Sequence, residues 1–217
     1  MGSFSGKEWL FFDLDGTLVD SVPALYGAYL DFLEEFGIKG DNSEFEKLIG
    51  PSLSEIVRIL KEKYNLELDF DSLLGIYNNK ISEAYDKHVV PFEGSEQVLK
   101  SLKEKGKKLC LVTSSNRENA FKLIEKLNWD CYFDSCVFGD EVSEAKPAPE
   151  IYKSALDKTR ALPSSVVVVE DSPNGVKSAK NADIDVVGFG SNSSEKSLRE
   201  SGANMVVSEL KDILFVI

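Results

Sequence analysis

Two aspartates, Asp13 and Asp15, stand at the exit of the apolar run WLFF (9–12), directly before Gly16. In extended backbone, residues two apart face the same side, so both carboxylates can address one cavity. Three further polar clusters sit in comparable places. Thr113-Ser114-Ser115-Asn116 follows LCLV (109–112), Lys146-Pro147 precedes a helical stretch, and Glu170-Asp171 follows VVVV (166–169). Taken singly, each has an ordinary reading. Ser115-Asn116-Arg117-Glu118 fits a capping box headed by Ser115, and Ser172-Pro173 reads as an N-cap with proline at N1. Lys146 reads as a surface lysine and Asp171 as a turn residue. Pro147 favours an extended Lys146, which sets where that side chain points.

Together the clusters pose a charge problem. Like charges about 4 Å apart cost about 4 kcal/mol per pair at an effective dielectric near 20. A divalent cation relieves that repulsion, and an all-oxygen carboxylate set favours Mg²⁺. A lysine, a hydroxyl and amides at a helix N-terminus then make the same place attractive to a dianion. Mg²⁺, lysine and helix N-terminus form a phosphoryl-transfer clamp. Within it one aspartate can attack phosphorus while the other serves as acid and base.

The elements that would position these groups are legible in the apolar pattern. Runs at 9–12, 108–112, 135–138, 166–169, 185–189 and 204–207 alternate with helical stretches at 94–106, 116–128, 148–160 and 172–182. Continuously apolar strands are those buried on both faces, and interleaved helices make βαβ units. The expectation is an α/β fold with a doubly wound, parallel, Rossmann-like sheet. Residues 22–90 break the alternation and read as helix after helix, an inserted all-helical cap. Residues 1–20 and 91–217 are thus expected to form the α/β core and 21–90 the cap, joined by crossings near 19–22 and 89–94. Ligands bind outside the carboxyl ends of such strands, where all four clusters lie.

The stretches DLDGTLVDS (13–21), LVTSSN (111–116), KPAPEIY (146–152) and VVVVEDSPNGVKSA (166–179) resemble the four signature motifs of the haloacid dehalogenase superfamily. Their order and strand context are similar to its phosphatase branch with a helical cap after the first motif, and the likeness spans essentially the whole chain. That resemblance implies an aspartyl-phosphate on Asp13, with Asp15 as general acid/base and its main-chain carbonyl on the metal. It implies that Thr113 and the Ser114 amide hold phosphoryl oxygens and that Lys146 neutralises them. Asp171 would join Asp13 and Asp15 around Mg²⁺, with Glu170 a weaker candidate ligand.

Dehalogenases similar to this family lack the second aspartate, since no alcohol leaving group needs a proton; Asp15 argues for phosphate ester chemistry. A non-catalytic binding module would be expected to lack one of Asp13, Asp15, Lys146 or Asp171, and all four are present. The expected function is Mg²⁺-dependent hydrolysis of a small phosphorylated metabolite, a sugar phosphate or a phosphoglycolate-like compound. The alternative is a phosphosugar mutase of the β-phosphoglucomutase type. EDSPNG (170–175) resembles the sugar-phosphate enzymes, whereas LIGPSLSEIV (48–57) is more similar to phosphoglycolate-type phosphatases. The mutases carry a cap histidine ten residues after the second aspartate and a cap arginine for a second phosphate. The matching positions here are Leu25 and, by a gapped match, Leu53, and the one cap arginine is Arg58. These substitutions favour hydrolysis. The loop Gly50-Pro51-Ser52 is the expected cap element to touch substrate.

The formal net charge of -12 opposes counterion-release binding to nucleic acid and attraction to anionic membranes. No apolar run reaches the roughly 18 residues that span a bilayer, and residues 1–9 lack a signal-peptide apolar region. Three cysteines, Cys110, Cys131 and Cys136, form no C-x-x-C and read as buried, reduced thiols, consistent with a cytoplasmic setting. The single histidine, His88, stands away from any nucleophile motif and reads as structural. The expected assembly is a monomer or weak dimer.

Overall fold

The structure, a computed structural model, describes residues 4–49 and 51–217. Six parallel strands form one sheet in the order β5-β4-β1-β6-β7-β8. They are β1 (Trp9–Phe12), β4 (Lys108–Val112), β5 (Ser135–Val137), β6 (Val166–Glu170), β7 (Asp185–Phe189) and β8 (Met205–Val207). Every residue of β1 and of β6 is buried, as expected of strands covered on both faces. Alternate residues serve the two faces. Leu10, Phe12, Leu109, Leu111, Val167 and Val169 pack into one core, and Trp9, Phe11, Cys110, Val112, Val166 and Val168 into the other. Helices α5 (Ser95–Glu104), α6 (Arg117–Lys126), α7 (Glu150–Thr159), α8 (Pro173–Asn181) and α9 (Glu195–Glu200) fill the crossovers.

Register decides what meets at the sheet edge. Phe12 is level with Leu111 on one side and with Val169 on the other. The next residues out, Asp13, Val112 and Thr113, Glu170 and Asp171, therefore leave the sheet together. The chain runs outward from β1 through β4 to β5, then restarts at β6 on the opposite side. Beside β1 is thus the point where the strand order reverses and a crevice opens.

The cap consists of α1 (Val22–Glu34), α2 (Asn42–Phe45), α3 (Leu53–Tyr64) and α4 (Phe70–His88). Its interior is built on α1 and α4, where Phe32 stacks on Tyr77 with ring centroids 4.6 Å apart. Ser52 and Glu55 close a reciprocal capping box on α3, and Asp69 caps α4 through the Ser72 N–H. Within the block that reads as helix after helix, α2 is a single α-turn followed by a 3₁₀ turn (Glu46–Leu48), after which Ile49 is extended.

The crossings between core and cap are not plain loops. Val19–Asp20 (β2) and Val90–Pro91 (β3) form a two-stranded antiparallel ribbon. It is extended by the Phe92 N–H donating to the Leu18 carbonyl and sealed by the Ser95 hydroxyl on that same oxygen at 2.7 Å. Two residues per strand, one of them proline, carry no readable period.

Of the cysteines, Cys110 is buried, Cys136 partly buried and Cys131 exposed, all unpaired. The expectation of buried thiols therefore holds for Cys110 alone. His88 is exposed at the last turn of α4. Among the described residues, no helix is long and apolar enough to cross a membrane.

Candidate active site

Asp13 leaves β1 only 5% exposed, its N–H donating to the Val169 carbonyl at 3.1 Å. Lys146, which the resemblance places at the site and which reads as a surface lysine only when taken singly, is equally buried. Its Nζ donates to Asp13 Oδ1 and to Glu170 Oε1, both at 2.7 Å. A buried ammonium needs partners of opposite charge, and these two carboxylates supply them. The Lys146–Pro147 peptide is cis.

Glu170 is saturated from two sides. Its Oε1 takes Lys146 and the Tyr152 hydroxyl (3.1 Å), while its Oε2 takes the Ser172 N–H (3.2 Å) and hydroxyl (3.1 Å). Asp171 accepts from Thr17 Oγ1 at 3.2 Å on one oxygen and from Asn192 Nδ2 at 3.1 Å on the other. Gly16 makes room for this. It has φ +84°, and a Cβ there would stand 2.3 Å from Asp171 Oδ2.

Electrostatically, three buried carboxylates (Asp13, Glu170, Asp171) share one buried ammonium. Burial pushes the Asp13 carboxyl well above the usual range, against the pull of Lys146. Burial, and then the charge of Glu170, push Asp171 up to about 7. Burial works against the charge on Lys146, yet Asp13 and Glu170 hold its ammonium well above the ordinary lysine value. One carboxylate oxygen from each of Asp13, Glu170 and Asp171 lies within 4.8 Å of the others. A hard divalent cation fits this donor set: all the donors are oxygens, and two positive charges balance what Lys146 leaves over.

Asp15 faces away from this group, toward the cap. Its Oδ2 accepts from Ser115 Oγ at 2.7 Å and from Thr113 Oγ1 at 3.4 Å, and its Oδ1 accepts from the Tyr85 hydroxyl of α4 at 2.5 Å. Ser115 is thus a partner of Asp15 and not the helix cap expected of it. Asn116 caps α6 by accepting the Asn119 N–H at 2.9 Å, and Ser115, one residue further from the helix, turns its hydroxyl to Asp15. Ser172 does cap α8, with Pro173 at N1. Ser114 lines the cavity above Asp13, and its carbonyl packs so close to Gly139 that a Cβ there would approach it to 2.0 Å.

Asp13, Asp15, Thr113, Ser114, Lys146 and Asp171 line a single cavity under the cap. Of the loop expected to touch substrate, Pro51 lines this cavity, Ser52 is engaged in capping α3, and Gly50 lies outside the described residues. Sequence reasoning missed Ser115, Tyr85 and Asn192 as neighbours of the aspartates. Asn192 had a signal, since it follows the carboxyl end of a fifth apolar strand; Tyr85 had none, being one of several tyrosines on helical faces.

A family model described as haloacid dehalogenase-like hydrolase matches residues 10–189. The chain is 32% identical over 216 residues to a phosphorylated carbohydrates phosphatase of Thermotoga maritima, covering 95% of this chain and all of that one. It is 28% identical to the 6-phosphogluconate phosphatase of Escherichia coli, over 84% of this chain and 82% of the relative. Among solved structures, a β-phosphoglucomutase from Clostridium difficile superposes with a TM-score of 0.84 at 25% identity, over 95% of this chain and 92% of the other. Sheet, helical cap, strand-end carboxylates and sequence agree: the chain belongs to the haloacid dehalogenase-like hydrolase family.

Proposed function

We propose that the chain is a Mg²⁺-dependent phosphomonoesterase acting on a small phosphorylated metabolite through an aspartyl-phosphate on Asp13. The observation that carries this reading is the buried Asp13–Lys146 pair at 2.7 Å, with Asp171 beside it and Asp15 held apart by different partners. The phosphatase names of the relatives support it. Asp13 Oδ attacks phosphorus and the P–O bond to the alcohol breaks, while Asp15 gives its proton to the departing oxygen. Asp15 then takes a proton from water, water adds to phosphorus, and the P–O bond to Asp13 breaks to release inorganic phosphate. Thr113, the Ser114 amide and Lys146 hold the transferring oxygens. Asp13, Asp171 and the Asp15 main-chain carbonyl would hold Mg²⁺, which supplies charge neutralisation of the phosphoryl group. Glu170, with both oxygens engaged, serves best as the anchor of Lys146.

The mutase reading draws on the likeness to β-phosphoglucomutase. Against it, Leu25 and Leu53 line the cavity and Arg58 does not, lying exposed over the Phe70 ring at 5.2 Å. No cap cation among the described residues reaches the cavity to hold a bisphosphate. Two assays test the proposal. Asp13→Asn, nearly isosteric, is expected to abolish release of phosphate from p-nitrophenyl phosphate while the fold persists; retention of more than about a tenth of wild-type turnover would remove Asp13 as nucleophile. Conversion of β-glucose 1-phosphate to glucose 6-phosphate with little free phosphate would replace hydrolysis by the mutase reaction.

A further inference from the structure

The cavity over Asp13 has an apolar roof and a polar wall. The roof comes from the cap: Leu25 of α1, Phe45 and Leu48 of α2 and the turn after it, Leu53 and Ile56 of α3, and Ile81 of α4. The wall is the start of α6, where Ser115, Asn116 and Asn119 line the cavity. Three asparagines meet there. The carboxamide oxygen of Asn78, on the cap helix α4, accepts from Asn116 Nδ2 at 2.6 Å and from Asn119 Nδ2 at 2.9 Å.

The helix cap fixes which way round each amide stands. Asn116 Oδ1 accepts the Asn119 N–H, so its amino group is the part that reaches Asn78. The atom of Asn78 that it meets must then be the oxygen, and the atom of Asn119 that meets this same oxygen must be the nitrogen. Asn119 Oδ1 is left over, turned away from Asn78, buried, and without a hydrogen bond from any described residue. Asn119 as a whole is 2% exposed. A buried carbonyl is costly to leave unmet, and turning the amide over would set its oxygen against that of Asn78.

A phosphomonoester bound with its phosphoryl group on Asp13 and Lys146 places its alcohol portion along this wall. Asn119 Oδ1 is a pure acceptor, so the group that meets it must be a donor. An ammonium would be desolvated under the apolar roof at far greater cost than a hydroxyl. We infer that Asn119 is a specificity residue whose carboxamide oxygen accepts a hydroxyl of the substrate's alcohol portion, held in that orientation by Asn78. The site thereby selects monophosphates of polyhydroxyl alcohols over esters that lack the hydroxyl. Because Asn78 belongs to the cap and Asn119 to the core, the acceptor is set in place only when the cap is seated. This rests on the phosphomonoesterase reading above and names the part of the substrate that the cavity reads.

The test uses the full chain with Mg²⁺ and compares glucose 6-phosphate, ribose 5-phosphate and glycerol 3-phosphate with propyl phosphate. Asn119→Leu keeps the branched shape and removes the acceptor. It should lower kcat/KM for the best of the three hydroxylated esters about tenfold more than for propyl phosphate, the value of one hydrogen bond. Taking each ester across the two enzymes cancels the basicity of its leaving group. Asn119 also borders the outer cleft between α4 and α6, and an oxygen satisfied by water from that side would give equal losses. Equal losses on all esters, or no loss, overturn the inference. Asn78→Asp, which keeps an oxygen for both amino groups, should retain the selectivity that Asn78→Leu loses; the same selectivity in both removes Asn78 as the positioning residue. Should Asn119→Leu fail to fold, wild type decides alone with monodeoxy analogues of its best sugar phosphate, which keep the leaving oxygen. One of them should fall about tenfold, and a series within about twofold throughout overturns the inference. If p-nitrophenyl phosphate is hydrolysed in that event, the phosphatase reading survives; if wild type does not turn it over, both fall together.

Discussion

The Tyr85 hydroxyl donates to Asp15 Oδ1 at 2.5 Å and stands 2.8 Å from Ser115 Oγ. Asp15 is thereby gripped from both bodies, by the cap through α4 and by the core through Ser115. The proposed acid/base thus has its orientation set in part by a residue of the cap, so that seating the cap and aiming the proton donor become one event.

Tyr85→Phe is accordingly expected to lower kcat for an alkyl phosphate by about tenfold, the value of a hydrogen bond to a charged group. For p-nitrophenyl phosphate, whose leaving group needs little protonation, the loss should stay within about threefold. A merely structural role would reduce both substrates alike. Equal losses, or an unaltered pH profile with the alkyl ester, would count against Tyr85 as the positioning residue of Asp15.

Glu170 can be a metal ligand or the counter-ion of Lys146, and the two roles separate by measurement. As counter-ion, Glu170→Gln leaves the Mg²⁺ concentration for half-maximal activity within about threefold while kcat falls, because Lys146 loses the charge of its second partner, 2.7 Å away. As ligand, the same change raises the Mg²⁺ requirement about 10- to 100-fold. The saturation of both Glu170 oxygens by Lys146, Tyr152 and Ser172 favours the first outcome. Lys146→Ala should cost about 100-fold or more in turnover and also lower the melting temperature, since Asp13 and Glu170 are left buried without a cation.

The ribbon of Val19–Asp20 and Val90–Pro91 carries both connections between core and cap. Closure over a bound ligand would be absorbed there, because it is short, and Val90 and Pro91 are exposed. Saturating orthovanadate with Mg²⁺ is expected to slow amide exchange at residues 19–20, 90 and 92. Exchange that stays the same on saturation argues for a cap fixed relative to the core.

How much of this was legible beforehand follows the physics of each signal. The central strands announced themselves because burial on both faces leaves unbroken apolar runs such as VVVV (166–169), and the half-buried edge strands β5 and β8 left shorter ones. Asp13 and Thr113 sit one residue beyond those runs and Asp171 two, and they were legible there because register brings the strand ends together. The β2–β3 ribbon was not, since two residues per strand have no period. The burial of Lys146 was hidden because charge suggests surface unless its partners are known, and those partners are 133 and 24 residues away. Ser115 was misread because a capping box and an Asp15 partner use the same residue type; only the fold assigns the cap to Asn116.

Within the cap, Glu44 is buried and takes hydrogen bonds from the hydroxyls of Tyr29 and Tyr64 and an ion pair from Lys63 at 2.6 Å. It joins α2 to α1 and α3, and so holds Phe45 and Leu48 in the roof. Burial by itself pushes the Glu44 carboxyl up, but Lys63 and the two tyrosines together hold it below the usual glutamate range. A carboxyl whose value is lowered on folding contributes stability above its unfolded value, about 4.3. That contribution is lost as pH falls through the lowered folded value. Wild type should therefore melt higher than Glu44→Gln at pH 6 to 7, and the gap should close on titration below about pH 4. A gap that stays constant across that range would show that Glu44 acts through packing and hydrogen bonds that survive protonation, with its charge contributing nothing to the seating of the roof.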